Sequence, residues 1–332
     1  MKIVIVGSCS IHLVNFYNLV KDIADDILIL TDKDCNKTFG DVKVIQLDFT
    51  LKNFFTIYKI KKIIRDFKPT HIHIHQANSY AFFSFLAIKN MGIKKILNVW
   101  GSDILVNPKK NFFLKQIVKF CLKKADVIVG DSYYLLEEVK KIYPLSKVEF
   151  FNFGIEYNEL NNKKQNIIYS NRLHKKNYNI DKIIISFAKF VKNNPQWELI
   201  IAGDGEEKLN LINLAKKLNI INKVKFVGFV DKKTNDYYYS ISKIYVSIPD
   251  SDSISLSLVE AILHKCIPFV SNIPANKEIV KDYGFIENDL ENIDFSKYDK
   301  KIIDYNFIEQ IKKIFSKSEN KKKLINIYLG KK

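Results

Sequence analysis

Short apolar runs that alternate with amphipathic helical stretches predict an α/β protein whose parallel sheets are covered by helices. The length of 332 residues, 47% of them hydrophobic, is ample for packed cores and predicts two domains rather than one. Met1 leads straight into an apolar run at 2–6, a strand rather than the charged, apolar and small-residue regions of a signal peptide. No apolar run approaches the ~20 residues that a transmembrane helix needs. The expectation is a cytoplasmic protein that meets a membrane only peripherally, on its inner face.

The formal net charge of +17 suits an anionic partner: nucleic acid, an anionic membrane surface or a phosphorylated substrate. Lysine, isoleucine and asparagine abound, the bias of an AT-rich genome, so no single lysine cluster says much. Cys9, Cys35, Cys121 and Cys266 lie far apart with no paired spacing. That fits free thiols in a reducing compartment and argues against a metal held by cysteine.

In the first half, strands are expected at 3–6, 26–31, 43–47, 71–75, 95–99, 126–130 and 147–151. They make a Rossmann-like domain with its working edge at the carboxyl ends of the strands. Gly7 follows the first strand and opens a helix, but no G-x-G-x-x-G is present, which disfavours a nicotinamide dehydrogenase. Gly7 reads equally as a strand-to-helix turn residue. His12 either contacts a ligand or caps its helix. His71, His73 and His75 alternate along one strand and share a face. Zinc is disfavoured because no acid or cysteine stands at ligand spacing nearby. His75, at the strand end, is expected to face the working edge, and the other two to pack against helices. Two further segments, 52–68 and 109–124, read as basic amphipathic helices, the second without any acid and with Phe113, Ile117, Phe120 and Cys121 on one stripe. They are either solvated lysine faces over a buried stripe or surfaces for an anionic bilayer. Nucleic-acid binding is disfavoured because no base-stacking aromatic pattern accompanies the charge.

The second half opens after the polar run 157–165. A strand ends at Asn171-Arg172, and Arg172 stands out in a chain with few arginines. Next come an apolar strand closed by Gly203 and Gly205, and a strand ending at Gly228-Phe229. The stretch 244–271 reads as strand, polar loop, helix and strand. Its loop, 250–255, holds two carboxylates and three serines and opens directly onto the helix. Unpaired amides at such a helix start make a seat for a phosphate. Glu260 is the single carboxylate in an apolar helix, where an unpaired buried charge is costly. The bland reading is that the serines cap the helix and Glu260 pairs with a lysine. Helices are expected at 181–190, 301–315 and, as a basic tail, 321–329.

The order of these residues resembles family 4 glycosyltransferases. Asp252 and Glu260, with seven residues between them, are followed by Ala261, by Ile267-Pro268-Phe269-Val270-Ser271 and by Glu278, as in that family's Glu-x7-Glu region, with aspartate in first place. Phe151-Asn152-Phe153-Gly154-Ile155-Glu156 resembles its hinge segment, and Asn171-Arg172-Leu173 its Gly-Arg-Leu. The resemblance implies a GT-B fold, two Rossmann-like domains facing across a cleft, and retention of configuration. It implies that Glu260 holds the nucleotide ribose, that Asp252 lies near the donor sugar and that the amides of Ser255, Leu256 and Ser257 bind the diphosphate. Arg172 and a lysine would grip the same diphosphate; the lysine's place falls near Tyr178, and Lys175 or Lys176 would substitute from a loop one residue longer, Lys176 being preferred. Gly203 and Gly205 would form the turn beneath the donor, Gly228 and Phe229 would read the base, and Gly7 would approach diphosphate or acceptor. Asn98-Val99-Trp100-Gly101-Ser102-Asp103 resembles a His-Gly-x-Asp segment with Trp100 in the place of the histidine. An indole can stack on a sugar but cannot take a proton. Trp100, His75 and His12 are therefore expected at the acceptor or sugar, and Asp103 among the catalytic groups.

The expected boundaries are 1–156 for an acceptor-binding domain, 157–315 for a nucleotide-sugar-binding domain, and 316–332 for a tail helix folding back on the first domain. The expected activity moves a sugar from a nucleotide-diphosphate sugar, a uridine one, to a hydroxyl of a glycan or lipid-linked acceptor in surface polysaccharide or lipopolysaccharide synthesis. Neither cofactor nor metal is called for. The alternatives are a sugar-nucleotide 2-epimerase or a phosphorylase of the same architecture, and a non-catalytic binder of nucleotide sugars or polyanions. Sugar, acceptor, linkage and oligomeric state stay open.

Overall fold

A computed structural model describes residues 1–35 and 38–331. The chain divides into two compact units. One is Met1–Gly154 together with the chain from Lys317 on; the other is Ile155–Ser316, so the division falls two residues before the expected boundary.

The first unit carries β1 (Lys2–Val6), β2 (Asp26–Thr31), β3 (Lys43–Gln46), β4 (His71–His75), β5 (Lys94–Asn98), β6 (Val127–Gly130) and β7 (Val148–Phe150). They form one parallel sheet in the order β3-β2-β1-β4-β5-β6-β7. All seven expected strands are present, their ends shifted by at most two residues. β1, β2 and β6 are apolar on both faces, as a sheet covered on both sides requires, whereas β4 carries its histidines on one of them. One face packs on Ile60, Ile64, Phe83, Phe85 and Val118 from helices Phe55–Phe67, Ser79–Ala87 and Phe112–Lys124. The other packs on Leu13, Phe16 and Leu19 from helix Ile11–Val20, and on Leu324 and Tyr328 from helix Lys317–Leu329. That last helix is tied to the strand of histidines. Tyr328 O meets His71 Nε2 at 3.0 Å, its hydroxyl meets His73 Nδ1 at 3.1 Å, and Lys94 Nζ donates to Tyr328 O at 3.0 Å.

Two helical expectations need revision. The segment 109–124 is not one helix: Asn111 is extended (φ −164°) between helices Asn107–Lys110 and Phe112–Lys124, and its side chain accepts from Leu114 N–H at 2.9 Å. Asparagine is a strong helix-starting residue, and here that preference outweighs the continuous periodicity. Phe113, expected in the buried stripe, is exposed, and burial begins at Ile117. The tail helix in turn starts at Lys317 rather than 321.

The second unit carries β8 (Gln165–Ser170), β9 (Glu198–Ala202), β10 (Val224–Gly228), β11 (Ser242–Ser247), β12 (Ile267–Ser271) and β13 (Phe285–Glu287), all parallel in the order β10-β9-β8-β11-β12-β13. In both sheets the order in which successive strands are added reverses once, at β1/β4 and at β8/β11. A ligand crevice forms outside the carboxyl ends of such strands, because the loops leaving them diverge. The loops after β8 and β11 carry Arg172 and Asp252.

All four cysteines are free. Among the described residues, no helix is long and apolar enough to cross a membrane.

Candidate active site

In the second unit the switch point gathers a small polar centre. Arg172 follows β8 by two residues, and its side chain is only 11% exposed. One Nη donates to the Ser255 hydroxyl, the other pairs with Asp252, and the Tyr178 ring lies 4.5 Å from the guanidinium carbon. Arg172, Asp252 and Ser255 are thus brought together. Lys176 is not: it is exposed on a three-residue helical turn, Lys176–Tyr178, and no hydrogen bond or ion pair joins it to them. The aromatic face of Tyr178 is the guanidinium's neighbour instead, an attraction that needs no second cation. The turn is pinned in place, since Asn177 O accepts from Asp250 N–H at 2.9 Å and Asn179 Nδ2 donates to Ile248 O at 2.9 Å.

Ser255 is the N-cap of helix Leu256–Leu263, yet its side chain makes no cap hydrogen bond; its hydroxyl accepts from Arg172. The helix start therefore keeps its positive end uncompensated by its own serine, next to the guanidinium.

Gly203 and Gly205 act one step back. A Cβ on Gly203 (φ +104°) would lie 2.5 Å from the Arg172 carbonyl oxygen, and one on Gly205 2.5 Å from that of His174. His174 N–H donates to Asp204 O at 3.0 Å, and His174 O accepts from Glu207 N–H at 3.0 Å. The turn is thus the bed on which the arginine loop lies, and only glycine allows the approach. Gly203→Ala is expected to destabilise the protein by about 2–3 kcal/mol through backbone displacement and positive-φ strain. Urea unfolding measures this; an unchanged midpoint would show that the loop does not need this bed. Gly228 also has positive φ (+69°), but the space around it is open, and Phe229 beyond it is 72% exposed.

Glu260, one helical turn inside, has a side chain 13% exposed. Lys232 Nζ lies 3.5 Å from Oε1 and Asn235 Nδ2 3.5 Å from Oε2. Burial raises its pKa, and Lys232 works against that. The lysine partner of the bland reading exists, though the side chain is not fully sealed. Sequence reasoning missed the network beneath it. Tyr169 hydroxyl donates to Asn235 Oδ1 (2.6 Å), Asn171 Nδ2 to Asn235 Oδ1 (3.0 Å) and to Tyr239 (2.7 Å), and Tyr245 hydroxyl to Asn171 Oδ1 (3.0 Å). These bonds couple the residue before Arg172 to the residue beside Glu260. The run Tyr237-Tyr238-Tyr239 was the available signal, since buried phenols need partners.

The first unit treats its candidates differently. His75 was expected at the working edge, but it is fully buried, and burial lowers its pKa to about 3. Its ring packs edge-on against Phe16 at 4.6 Å, so it cannot present itself to a ligand there. Gly7 makes room for it: a Cβ at Gly7 would sit 3.1 Å from the His75 Cβ. Asp103 is also buried. Its carboxylate accepts from Ala77 N–H at 2.7 Å and Trp100 N–H at 3.0 Å, tying the loop after β4 to the loop after β5. Asp103 is thereby corrected from a catalytic group to a loop clamp. Ser10, not His12, occupies the N-cap of helix Ile11–Val20; His12 is exposed, its ring 4.9 Å from Trp100. Trp100 Nε1 is buried without a hydrogen-bond partner among the described residues. Among the described residues, no group of three or more His, Cys, Asp or Glu side chains is arranged to hold a metal ion.

Comparison with known proteins identifies the family and the fold. Residues 152–326 match the family described as glycosyl transferases group 1, and residues 2–132 match that described as glycosyl transferase 4-like. An uncharacterized glycosyltransferase of Haemophilus influenzae is 27% identical over 270 residues, covering 75% of this chain and 72% of its own. The O-antigen biosynthesis glycosyltransferase WbnH of Escherichia coli is 24% identical over 326 residues, 92% of this chain and 90% of its own. Among solved structures, Anabaena Alr3699/HepE in complex with UDP superposes with a TM-score of 0.79 at 13% identity, covering 99% of this chain and 100% of that one. The chain belongs to the group 1 glycosyl transferases: it is a glycosyltransferase of GT-B fold, related to those that build O-antigen.

Proposed function

We propose that this glycosyltransferase moves a sugar, with retention of configuration, from a uridine-diphosphate sugar to a hydroxyl of a glycan or lipid-linked acceptor of surface polysaccharide, without a metal. The observation that carries the donor reading is the meeting of Arg172 and Ser255 at the start of helix Leu256–Leu263, with Glu260 one turn further in. A fixed guanidinium fork and a helix start are both suited to phosphate oxygens, and their charge serves the role a metal fills elsewhere. Charge growing on the leaving diphosphate is stabilised there. The acceptor hydroxyl attacks from the leaving-group side and passes its proton to that diphosphate, so no covalent carboxylate nucleophile is required. Glu260 holds the ribose hydroxyls, and Asp252 orients hydroxyls of the sugar. The uridine assignment is supported by the Anabaena protein, whose structure holds UDP.

The acceptor side is supported by the first unit. Phe54, Phe55 and Tyr58 on one helix, and Phe112 and Phe113 on another, are exposed beside lysines, a composition suited to an anionic bilayer carrying a lipid-linked acceptor.

The test is a thermal-shift and calorimetric screen against nucleotide sugars and UDP, with wild type and Glu260→Ala. Saturating UDP-sugar is expected to stabilise the wild type by about 2.7 kcal/mol at 100 times Kd. Glu260→Ala is expected to weaken UDP about tenfold, the loss of one charged hydrogen bond. Equal UDP affinity in the two proteins would remove Glu260 from the donor site.

A further inference from the structure

The best-placed anion receptor of the second unit is already engaged by the protein itself. The two Nη groups of Arg172 are divided between Asp252 and the Ser255 hydroxyl, and its face rests near Tyr178. Asp252 brings to the fork what a phosphate would bring, an anionic oxygen within hydrogen-bond reach. Its second oxygen accepts from Ser253 N–H at 3.0 Å. The aspartate and the N-cap serine are thus both held by the arginine, one away from a sugar and the other away from its own helix.

A static ion pair would make the same contacts, but it has the opposite consequence. If Asp252 served only to hold Arg172 in shape, its loss would leave a mostly buried guanidinium unpaired and weaken the anion site. If it competes with phosphate, its loss strengthens the site.

We propose that Asp252 is a built-in competitor for the diphosphate seat, paired with Arg172 until a donor phosphate takes the guanidinium and frees the carboxylate for the sugar hydroxyls. This rests on the donor reading of the site given above. The arrangement couples the two ends of the donor: phosphate alone must displace the carboxylate, whereas a sugar-bearing donor also rehouses it. It disfavours retention of the nucleoside diphosphate once the sugar has left, so Asp252 acts on product release through Arg172 as well as on the sugar.

The experiment titrates UDP into the full chain by calorimetry for wild type, Asp252→Asn, Arg172→Gln and the double variant, alongside steady-state transfer. Asp252→Asn is expected to bind UDP about tenfold tighter, the scale of one charge-assisted hydrogen bond, while kcat for transfer falls. Against Arg172→Gln the same change is expected to alter UDP affinity by no more than about twofold, because the coupling needs both partners. Asp252→Ser gives the same readout should the asparagine variant fold poorly. Wild-type binding of UDP with unchanged or weaker binding by Asp252→Asn overturns this inference alone. An equal gain in the Arg172→Gln background overturns it too, since general charge repulsion would then suffice. Absence of UDP binding in every protein overturns it together with the donor reading.

Discussion

Arg172→Ala is expected to lower kcat about 10²–10³-fold, the loss seen when one preorganised donor to developing negative charge is removed. With Ser255 and Tyr178 still against it after Asp252 gives way to the donor, the side chain costs little to reorganise as charge moves onto the leaving group. Arg172→Lys is expected to recover only part of the rate, because an ammonium restores the charge but not the two-pronged fork. The fold should survive either change. Asp252 is 24% exposed and can hydrate once its partner is gone, which limits the stability loss. Rates under saturating donor, with Tm measured in parallel, check this. Transfer by Arg172→Ala at the wild-type rate would end the assignment of Arg172 to the donor phosphates.

Acidification from pH 7 to pH 5 is expected to destabilise the first unit, by about 2 kcal/mol through His75 and in the same direction through His73. Both imidazoles are fully buried; burial pushes His73 well below its ordinary value and His75 to about 3. In the unfolded chain each titrates near 6.5. Between about 6.5 and the depressed folded values, the unfolded state therefore binds more protons. Stability rises with pH across that window and falls as pH drops through it. His264 in the second unit, lowered by burial to about 4 with Asp236 opposing, works in the same direction. The carboxylates with lowered values, such as Asp48 and Asp204, titrate below this window, whereas Asp103 in the first unit, its carboxyl pushed up by burial, opposes the histidines as pH falls, so the comparison with a histidine variant identifies their share. The chain has two tryptophans, Trp100 and Trp197, one in each unit. Urea unfolding followed by Trp100 fluorescence in a Trp197→Phe background reads the first unit, and His75→Leu should flatten the slope. Equal midpoints at pH 7 and pH 5 would rule the effect out.

The α/β alternation was legible because strands buried on both faces read as unbroken apolar runs, as in β1, β6 and β12. Arg172 was legible because arginine is rare in this chain, and Glu260 because a lone acid in an apolar helix needs a reason. The sequence misled where position alone had to stand for exposure. His75 ends its strand, yet Phe16 and the side-chain-free Gly7 enclose it. Asp103 stands in a site-like motif, but its carboxylate is used up by two backbone amides from separate loops. Lys176 had charge to recommend it, whereas the structure sets the aromatic face of Tyr178 against Arg172. The Tyr169, Asn171, Asn235 and Tyr239 network joins residues up to 68 positions apart, a separation no local pattern encodes.

Helix Lys317–Leu329 seals the histidine-bearing face of the first unit with Leu324 and Tyr328, although the whole second unit is translated before it. At about 5–20 residues per second, a ribosome spends roughly 8–30 s on that intervening stretch. Until that helix is made, Phe16 and His73 lack the Leu324 and Tyr328 that pack with them in the finished chain. Synonymous codon changes that slow the second unit's synthesis should therefore lower the yield of folded first unit without touching a single residue in it.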